Sequence, residues 1–180
     1  MKPTEELMHD HTIIMHMLDG AEKMALAILD DGSVDVGKVK DVVEFSRNFT
    51  DGCHHSKEEK VFFPRLEERG MPSQQGPVAV MLHEHSVGRA LIGSIEEGAN
   101  EYEAGNKDAA MKIAQAMLQY VELLRDHIAK ENNILFPMSD RFLSAEDQKS
   151  LEESFKFIEE HEVGAEVHER YHRMAHDIAG

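Results

Sequence analysis

Twelve histidines are spread through this chain of 180 residues, and imidazole is the commonest metal ligand among side chains. A count does not separate ligands from surface histidines, but spacing does. The run His54-His55-Ser56-Lys57-Glu58-Glu59-Lys60-Val61-Phe62-Phe63-Pro64 aligns with His127-Ile128-Ala129-Lys130-Glu131-Asn132-Asn133-Ile134-Leu135-Phe136-Pro137, at an offset of 127 − 54 = 73. Upstream, His9-Asp10-His11-Thr12-Ile13 aligns with His83-Glu84-His85-Ser86-Val87, at an offset of 85 − 11 = 74. Each half of the chain therefore carries one His in a first segment and a His-x-x-x-Glu pair in a second. On a helix, residues i and i+4 lie one turn apart on one face, so both can reach one ion, and a His from a facing helix adds a third ligand. Two such half-sites facing each other offer four imidazoles and two carboxylates to two metals. Each carboxylate has two oxygens, so Glu58 and Glu131 can each bridge both ions, as in other carboxylate-bridged helix bundles.

Long helices must position these residues. Apolar residues recur at helical spacing almost throughout. The pattern predicts a first helix from Thr4, as its N-cap, to about Asp30, with a turn at Asp31-Gly32-Ser33. Further helices are expected over 35–68, 78–104 and 107–140, with a last one capped by Ser144 and reaching about 178. No segment reads as a strand. Short loops between long helices imply an all-α, antiparallel up-down four-helix bundle over about 4–140 with an additional C-terminal helix, the whole forming one domain over 1–180.

Helix faces sort the histidines. Leu7, His11, Ile14, Leu18, Ala21, Ala25 and Ile28 form one apolar stripe, and His9 falls on the polar side with Glu5, Thr12, His16 and Lys23. His85 shares a face with Val78, Met81, Ile92 and Ala99, and His127 with Tyr120, Leu123, Leu124, Ile134 and Met138. The second helix is ambiguous, because His55 and Glu59 also have apolar neighbours in Phe45, Phe49 and Leu66. The repeat favours His54 and Glu58, since position 128 is Ile, and leaves His55 and Glu59 as runners-up. A lone inward His is usually a hydrogen-bonded core residue. Four of them beside two inward Glu are different, because buried carboxylates are costly without a counter-charge.

At these residues the chain resembles the hemerythrin-like, or HHE cation-binding, family: His11 in Asp-His-Thr-Ile, Cys53-His54-His55-Ser56-Lys57-Glu58-Glu59 ending in Phe63-Pro64, Glu84-His85, and His127-Ile128-Ala129-Lys130-Glu131-Asn132 ending in Phe136-Pro137. The resemblance implies a four-helix bundle around a non-haem di-iron centre, oxo- or hydroxo-bridged as well as carboxylate-bridged. It implies His11, His54, Glu58, His85, His127 and Glu131 as ligands. His and Glu ligands also suit Mn or Zn. Oxygen-carrying hemerythrins have a His-x-x-x-His pair on the third helix, and here Met81 stands four before His85. Two octahedral ions need about twelve positions, and this ligand set with one bridging oxygen leaves roughly two open. By that count the site is more similar to the family members linked to nitric oxide, peroxide or iron–sulfur cluster repair than to the oxygen carriers. Within the resemblance, the leading expectation is binding of O2 or NO for sensing, storage or detoxification. The alternatives are an enzyme acting on peroxide or NO, or an iron-handling or iron–sulfur cluster repair protein.

Composition narrows the partners. A formal net charge of −16 repels phosphate backbones and anionic membranes, so neither nucleic acid nor a membrane is an expected partner. The N-terminus lacks the apolar core of a signal peptide, and a single cysteine fits a reducing, cytoplasmic setting. No exposed stripe defines an oligomer. In the C-terminal segment, Val163, Val167, Tyr171, Met174 and Ile178 form a docking stripe, flanked by His161, His168 and His172. One of these three is a candidate further iron ligand. Cys53, beside a ligand, is a candidate oxidation sensor or plain packing, and Tyr120 a candidate hydrogen-bond donor near the site.

Overall fold

The structure, a computed structural model, describes residues 1–180 apart from the side chain of Ala165. Six helices follow one another: α1 (Pro3–Asp31), α2 (36–68), α3 (Gly76–Glu103), α4 (109–142), α5 (145–163) and α6 (Ala165–Ala179). No strand occurs among the described residues, and no helix is long and apolar enough to cross a membrane. The links 32–35, 69–75, 104–108 and 143–144 are too short for anything but reversal of direction.

Local chemistry explains the helix ends, with two departures from the sequence reading. The start of α1 is not capped by Thr4. The Lys2 N–H donates to the Glu5 carboxylate at 2.8 Å, and the Thr4 hydroxyl, already inside the helix, donates to Asp140 Oδ1 at 3.0 Å. Ser144 does cap α5: its hydroxyl accepts the Asp147 N–H, and its own N–H donates back to Asp147. The single C-terminal helix expected from 144 onward is instead two, because Gly164 adopts a φ of +89° and turns the chain between α5 and α6.

The helices that carry the His-x-x-x-Glu pairs are not regular. Wide turns, with hydrogen bonds spanning five residues, run through Ser46–His55 and Glu58–Phe62 in α2 and through Glu131–Leu135 in α4. The last two occupy corresponding places in the repeat, at 131 − 58 = 73. Each is followed by Phe-Pro, and proline supplies the cause. Pro64 and Pro137 have no N–H to donate, and in a regular helix the ring would clash with the carbonyl four residues back. Widening the preceding turn relieves the clash.

Packing places a polar layer between two apolar ones. One cluster gathers Leu7, Phe62, Phe63, Leu66, Val78, Leu135 and Phe136 with Leu151 and Phe155 of α5. The other gathers Ile14, Leu18, Ala21, Phe45, Phe49, Ile95, Ile113, Met117 and Leu124 with Tyr171 and Ala175 of α6. The predicted ligands sit where the two meet. α6 lies against α1 and α2, and α5 is tied to α2 by the buried Asp147 carboxylate, 2.8 Å from Arg65 Nη1 and 2.7 Å from Arg69 Nη2.

The tightest helix contact is at Gly20, where a Cβ would fall 2.2 Å from the Ile178 carbonyl oxygen. Gly20→Ala is expected to push the end of α6 off α1 and to destabilise by about 1–3 kcal/mol, as overpacking does. Gly93, also inside a helix, meets nothing within 4 Å, so Gly93→Ala should gain up to about 1 kcal/mol from helix propensity. Thermal unfolding midpoints of the two variants check this, with Gly20→Ala moving down and Gly93→Ala holding or rising.

Candidate metal centre

The structure brings His11, His54, Glu58, His85, His127 and Glu131 together, one or two from each of α1 to α4, all buried. His11 Nε2 lies 3.0 Å from His54 Nε2, and His85 Nε2 lies 3.2 Å from His127 Nε2. Glu58 spans the two pairs, with Oε1 3.4 Å from His54 Nε2 and Oε2 3.2 Å from His85 Nε2. Glu131 spans them from the opposite direction, with Oε2 3.1 Å from His11 Nε2 and Oε1 3.3 Å from His127 Nε2. Ligands about 2.1 Å from one ion, at angles between right and tetrahedral, stand about 3.0–3.4 Å apart. The four oxygens of Glu58 and Glu131 are fully buried and have no hydrogen-bond donor. Nitrogen–nitrogen and nitrogen–oxygen spacings of this size, with orphaned buried oxygens, fit a pair of cations.

Each imidazole is oriented from behind, and the duplication extends to these supports. His54 Nδ1 meets Asp10 Oδ2 at 3.3 Å, and Asp10 in turn pairs with Lys57 Nζ at 2.8 Å. At the matching places, His127 Nδ1 meets Glu84 Oε1 at 3.1 Å, and Glu84 pairs with Lys130. His11 Nδ1 meets Asn132 Oδ1 at 2.6 Å, and His85 Nδ1 meets Glu59 Oε1 at 2.7 Å. All four Nδ1 atoms face acceptors, so each carries a proton there and aims Nε2 inward, where a second proton or a cation can take its lone pair. Asp10 and Glu84 precede His11 and His85, and Glu59 and Asn132 follow Glu58 and Glu131. Both pairs align in the repeat, the signal that could have found them.

The electrostatics follow from burial and these pairings. Burial would raise the Glu131 carboxyl, but His127 and His11 beside it hold it well below the usual range. Burial would lower His127, but the Glu131 charge lifts it to about 10. His11 and His85 are likewise raised against burial by Glu131 and Glu58 respectively. Protons and cations thus compete for the same nitrogens.

The runners-up divide. Glu59 turns away from the pairs and supports His85. His55 is buried together with His54, and its ring comes close enough to Glu58, His85 and His127 to be counted with them. Its geometry is not that of a ligand: it stacks on His85 with centroids 3.7 Å apart and planes 18° apart. A nitrogen lone pair lies in the ring plane, so two rings stacked this way cannot both aim at one ion. Burial, and then the nearby His85 charge, push His55 well below the ordinary imidazole value.

The C-terminal histidines supply no contact to the six. His161 is exposed and stacks on Phe157, and His172 neighbours His176. His168 Nε2 lies 3.6 Å from Asp10 Oδ1, behind His54. Asp10, Glu159 and His168 are close enough together to suggest a third metal position. Lys57 Nζ already fills it, 2.8 Å from both Asp10 and Glu159 and 3.0 Å from Glu6. Cys53 is fully buried and its thiol is pushed up to about 12 by burial, which makes it packing rather than a reactive thiolate.

The chain is also similar to known proteins. The family model of the hemerythrin HHE cation binding domain matches residues 2–139. The uncharacterized protein Rv1995 of Mycobacterium tuberculosis is 24% identical over 160 residues, covering 89% of this chain and 62% of that protein. The iron-sulfur cluster repair protein YtfE of Escherichia coli is 31% identical over 143 residues, covering 71% and 63%. The chain spans less than two thirds of the length of these curated relatives. No solved structure matches at comparable significance.

The raised His127 sets a pH dependence. Its proton is held with a folded pKa of about 10 against an ordinary 6.5. That contribution to stability is whole below pH 6.5 and lost as pH rises through about 10. Chelator-treated protein is therefore expected to lose stability steadily from pH 6.5 to 10. Protein loaded with divalent ions should lose far less, because the ion replaces the proton. Denaturant midpoints across this range test it, and parallel curves for the two forms would refute it.

Proposed function

The chain belongs to the hemerythrin HHE cation-binding domain family, and from that premise we propose that it is a non-haem di-iron protein that binds a small diatomic ligand, O2 or NO, for sensing, storage or detoxification. The observation that carries this reading is the bridging placement of Glu58 and Glu131. Each offers one oxygen to the His11–His54 pair and one to the His85–His127 pair, with all four oxygens buried and unsatisfied. His11, His54, Glu58, His85, His127 and Glu131 would hold the two ions, with Glu58 and Glu131 between them. Bound iron would supply one-electron chemistry and coordination positions not taken by protein.

The surrounding residues serve that role. Asp10, Glu84, Glu59 and Asn132 fix the tautomers and aim the imidazoles before any ion arrives. Phe62, Phe63 and Phe136 wall the layer on one side, with His11 stacked on Phe136 at 5.5 Å. They keep bulk water from the ligands. Iron is favoured over Mn or Zn by the likeness to the iron-sulfur cluster repair protein of E. coli, although His and Glu accept all three. The same likeness supports a second reading, iron handling in the service of iron–sulfur clusters.

Anaerobic loading with ferrous iron, followed by spectra on addition of O2 and then NO, tests the proposal. Two irons per chain and a new absorption band with either ligand are the expected results. Glu131→Ala and Glu58→Ala are each expected to retain at most one iron per chain. Iron lost to a modest chelator within minutes would favour the iron-handling reading, and wild-type protein that retains no iron would overturn both.

A further inference from the structure

The two halves of the centre are duplicated in sequence but not in their surroundings. Behind His54, Lys57 is fully buried under Asp10, Glu6 and Glu159, and α5 and α6 close over them with Glu159 and His168. These two helices lie beyond the matched region 2–139. Behind His127, the corresponding Lys130 remains 39% exposed. The His11–His54 side is sealed by the C-terminal helices α5 and α6, and the His85–His127 side is not.

On the open side, a cavity of about 230 Å³ reaches inward between α2, α3 and α4. One wall is the stacked pair His55 and His85, and Ser46, Thr50, Gly88 and Tyr120 complete the lining with Ile92. Ser46 Oγ and Thr50 Oγ1 belong to residues only 2% and 1% exposed, and apart from the Tyr120 hydroxyl neither has a polar partner. The Tyr120 hydroxyl lies beside both, on a phenol that burial pushes up and so keeps protonated. At the mouth, Arg89 donates to Asp51 at 2.9 Å and to Glu59 at 2.7 Å. Those two carboxylates in turn accept from His55 and His85. The guanidinium therefore fixes the rim and both imidazoles of the wall. Three buried hydroxyls that face one another and nothing else keep hydrogen-bonding capacity for a small guest in the cavity.

We propose that this chamber is the ligand-binding subsite of the centre, so that small ligands reach it at the His85–His127 side and are held by hydrogen bonds from Ser46, Thr50 and Tyr120. The chamber suits a molecule of two or three heavy atoms with a hydrogen-bond-accepting end. The inference rests on the metal-centre reading above, but the chamber itself does not need the metal to be detected.

Gly88 offers the direct test. A Cβ there would stand 3.6 Å from Tyr120 and 3.8 Å from Leu123, ordinary contact, so Gly88→Leu plugs the chamber with little strain on the helix. Gly93→Leu, on the same helix with nothing within 4 Å, is the control. In iron-loaded protein, with azide as the probe, Gly88→Leu should slow association at least ~10-fold while Gly93→Leu leaves it unchanged. Thr50→Val keeps the volume, Ser46→Ala removes only the hydroxyl oxygen, and each should weaken azide roughly 2–12-fold, the worth of one hydrogen bond. In metal-free protein under xenon pressure, NMR should show the Thr50 and Ile92 methyl signals shifting in wild type and Gly93→Leu, but not in Gly88→Leu. Azide association at the wild-type rate in Gly88→Leu, or wild-type methyl signals unmoved by xenon, would overturn the proposal. Wild-type protein that takes up no iron would remove the di-iron reading, and the xenon result would still decide the chamber.

Discussion

Two carboxylates, cut off from water and offered no hydrogen-bond donor, impose the condition that the rest of this fold satisfies. Burying one ionised carboxylate costs several kcal/mol unless positive charge lies beside it. Glu58 and Glu131 are buried together, within one polar layer, by the same four helices that form the apolar clusters above and below. Imidazoles at 3.1–3.4 Å can supply that charge as imidazolium, or a metal can supply it through their lone pairs. The support on each Nδ1 decides between these states. It holds the Nδ1 proton in place, so the second nitrogen is the one that exchanges a proton for a cation.

That condition is met twice by one design. The carboxylate before each first-helix ligand, Asp10 or Glu84, supports the partner imidazole on the next helix, and the lysine before each glutamate, Lys57 or Lys130, balances that carboxylate. A duplicated hairpin thus supplies ligands, their supports and the counter-charges of the supports from the same aligned positions. The wide turns belong to the design as well. They precede Pro64 and Pro137, start at the bridging glutamates and recur at the same offset. Backbone strain at a proline and the placement of a ligand are in this way one feature.

Much of this was legible in the sequence, and the exceptions share a cause. The helix order and most boundaries followed from apolar spacing, and the six central residues from the repeat. What failed was the assumption of 3.6 residues per turn. That period forced a choice between His54 and His55, whereas the wide turn across Ser46–His55 lets both point inward. It also placed Ile134 on the inner face of α4, where the wide turn from Glu131 leaves it exposed. The break at Gly164 was missed because the apolar stripe of α6 continues in register past the glycine. The supports on Nδ1 were written in the repeat, but charged residues beside ligands read as ordinary polar helix faces until their direction is known.

One aligned difference, reinforced by the C-terminal helices α5 and α6, makes the centre asymmetric. Glu59 and Asn132 occupy matching places, yet one offers a carboxylate to His85 and the other an amide oxygen to His11. A carboxylate draws the Nδ1 proton more strongly and so makes the opposite nitrogen the better donor. His85 is therefore the more basic ligand on the side that stays open, and His11 the weaker one on the side that α5 and α6 seal. Arg89 moderates the difference by sharing Glu59 with His85. On the sealed side a fully buried ammonium, Lys57, stands where Asp10, Glu159 and His168 would otherwise gather a further ion. A tethered cation there neutralises the acidic cluster permanently, which leaves metal exchange to the six residues between the two hairpins.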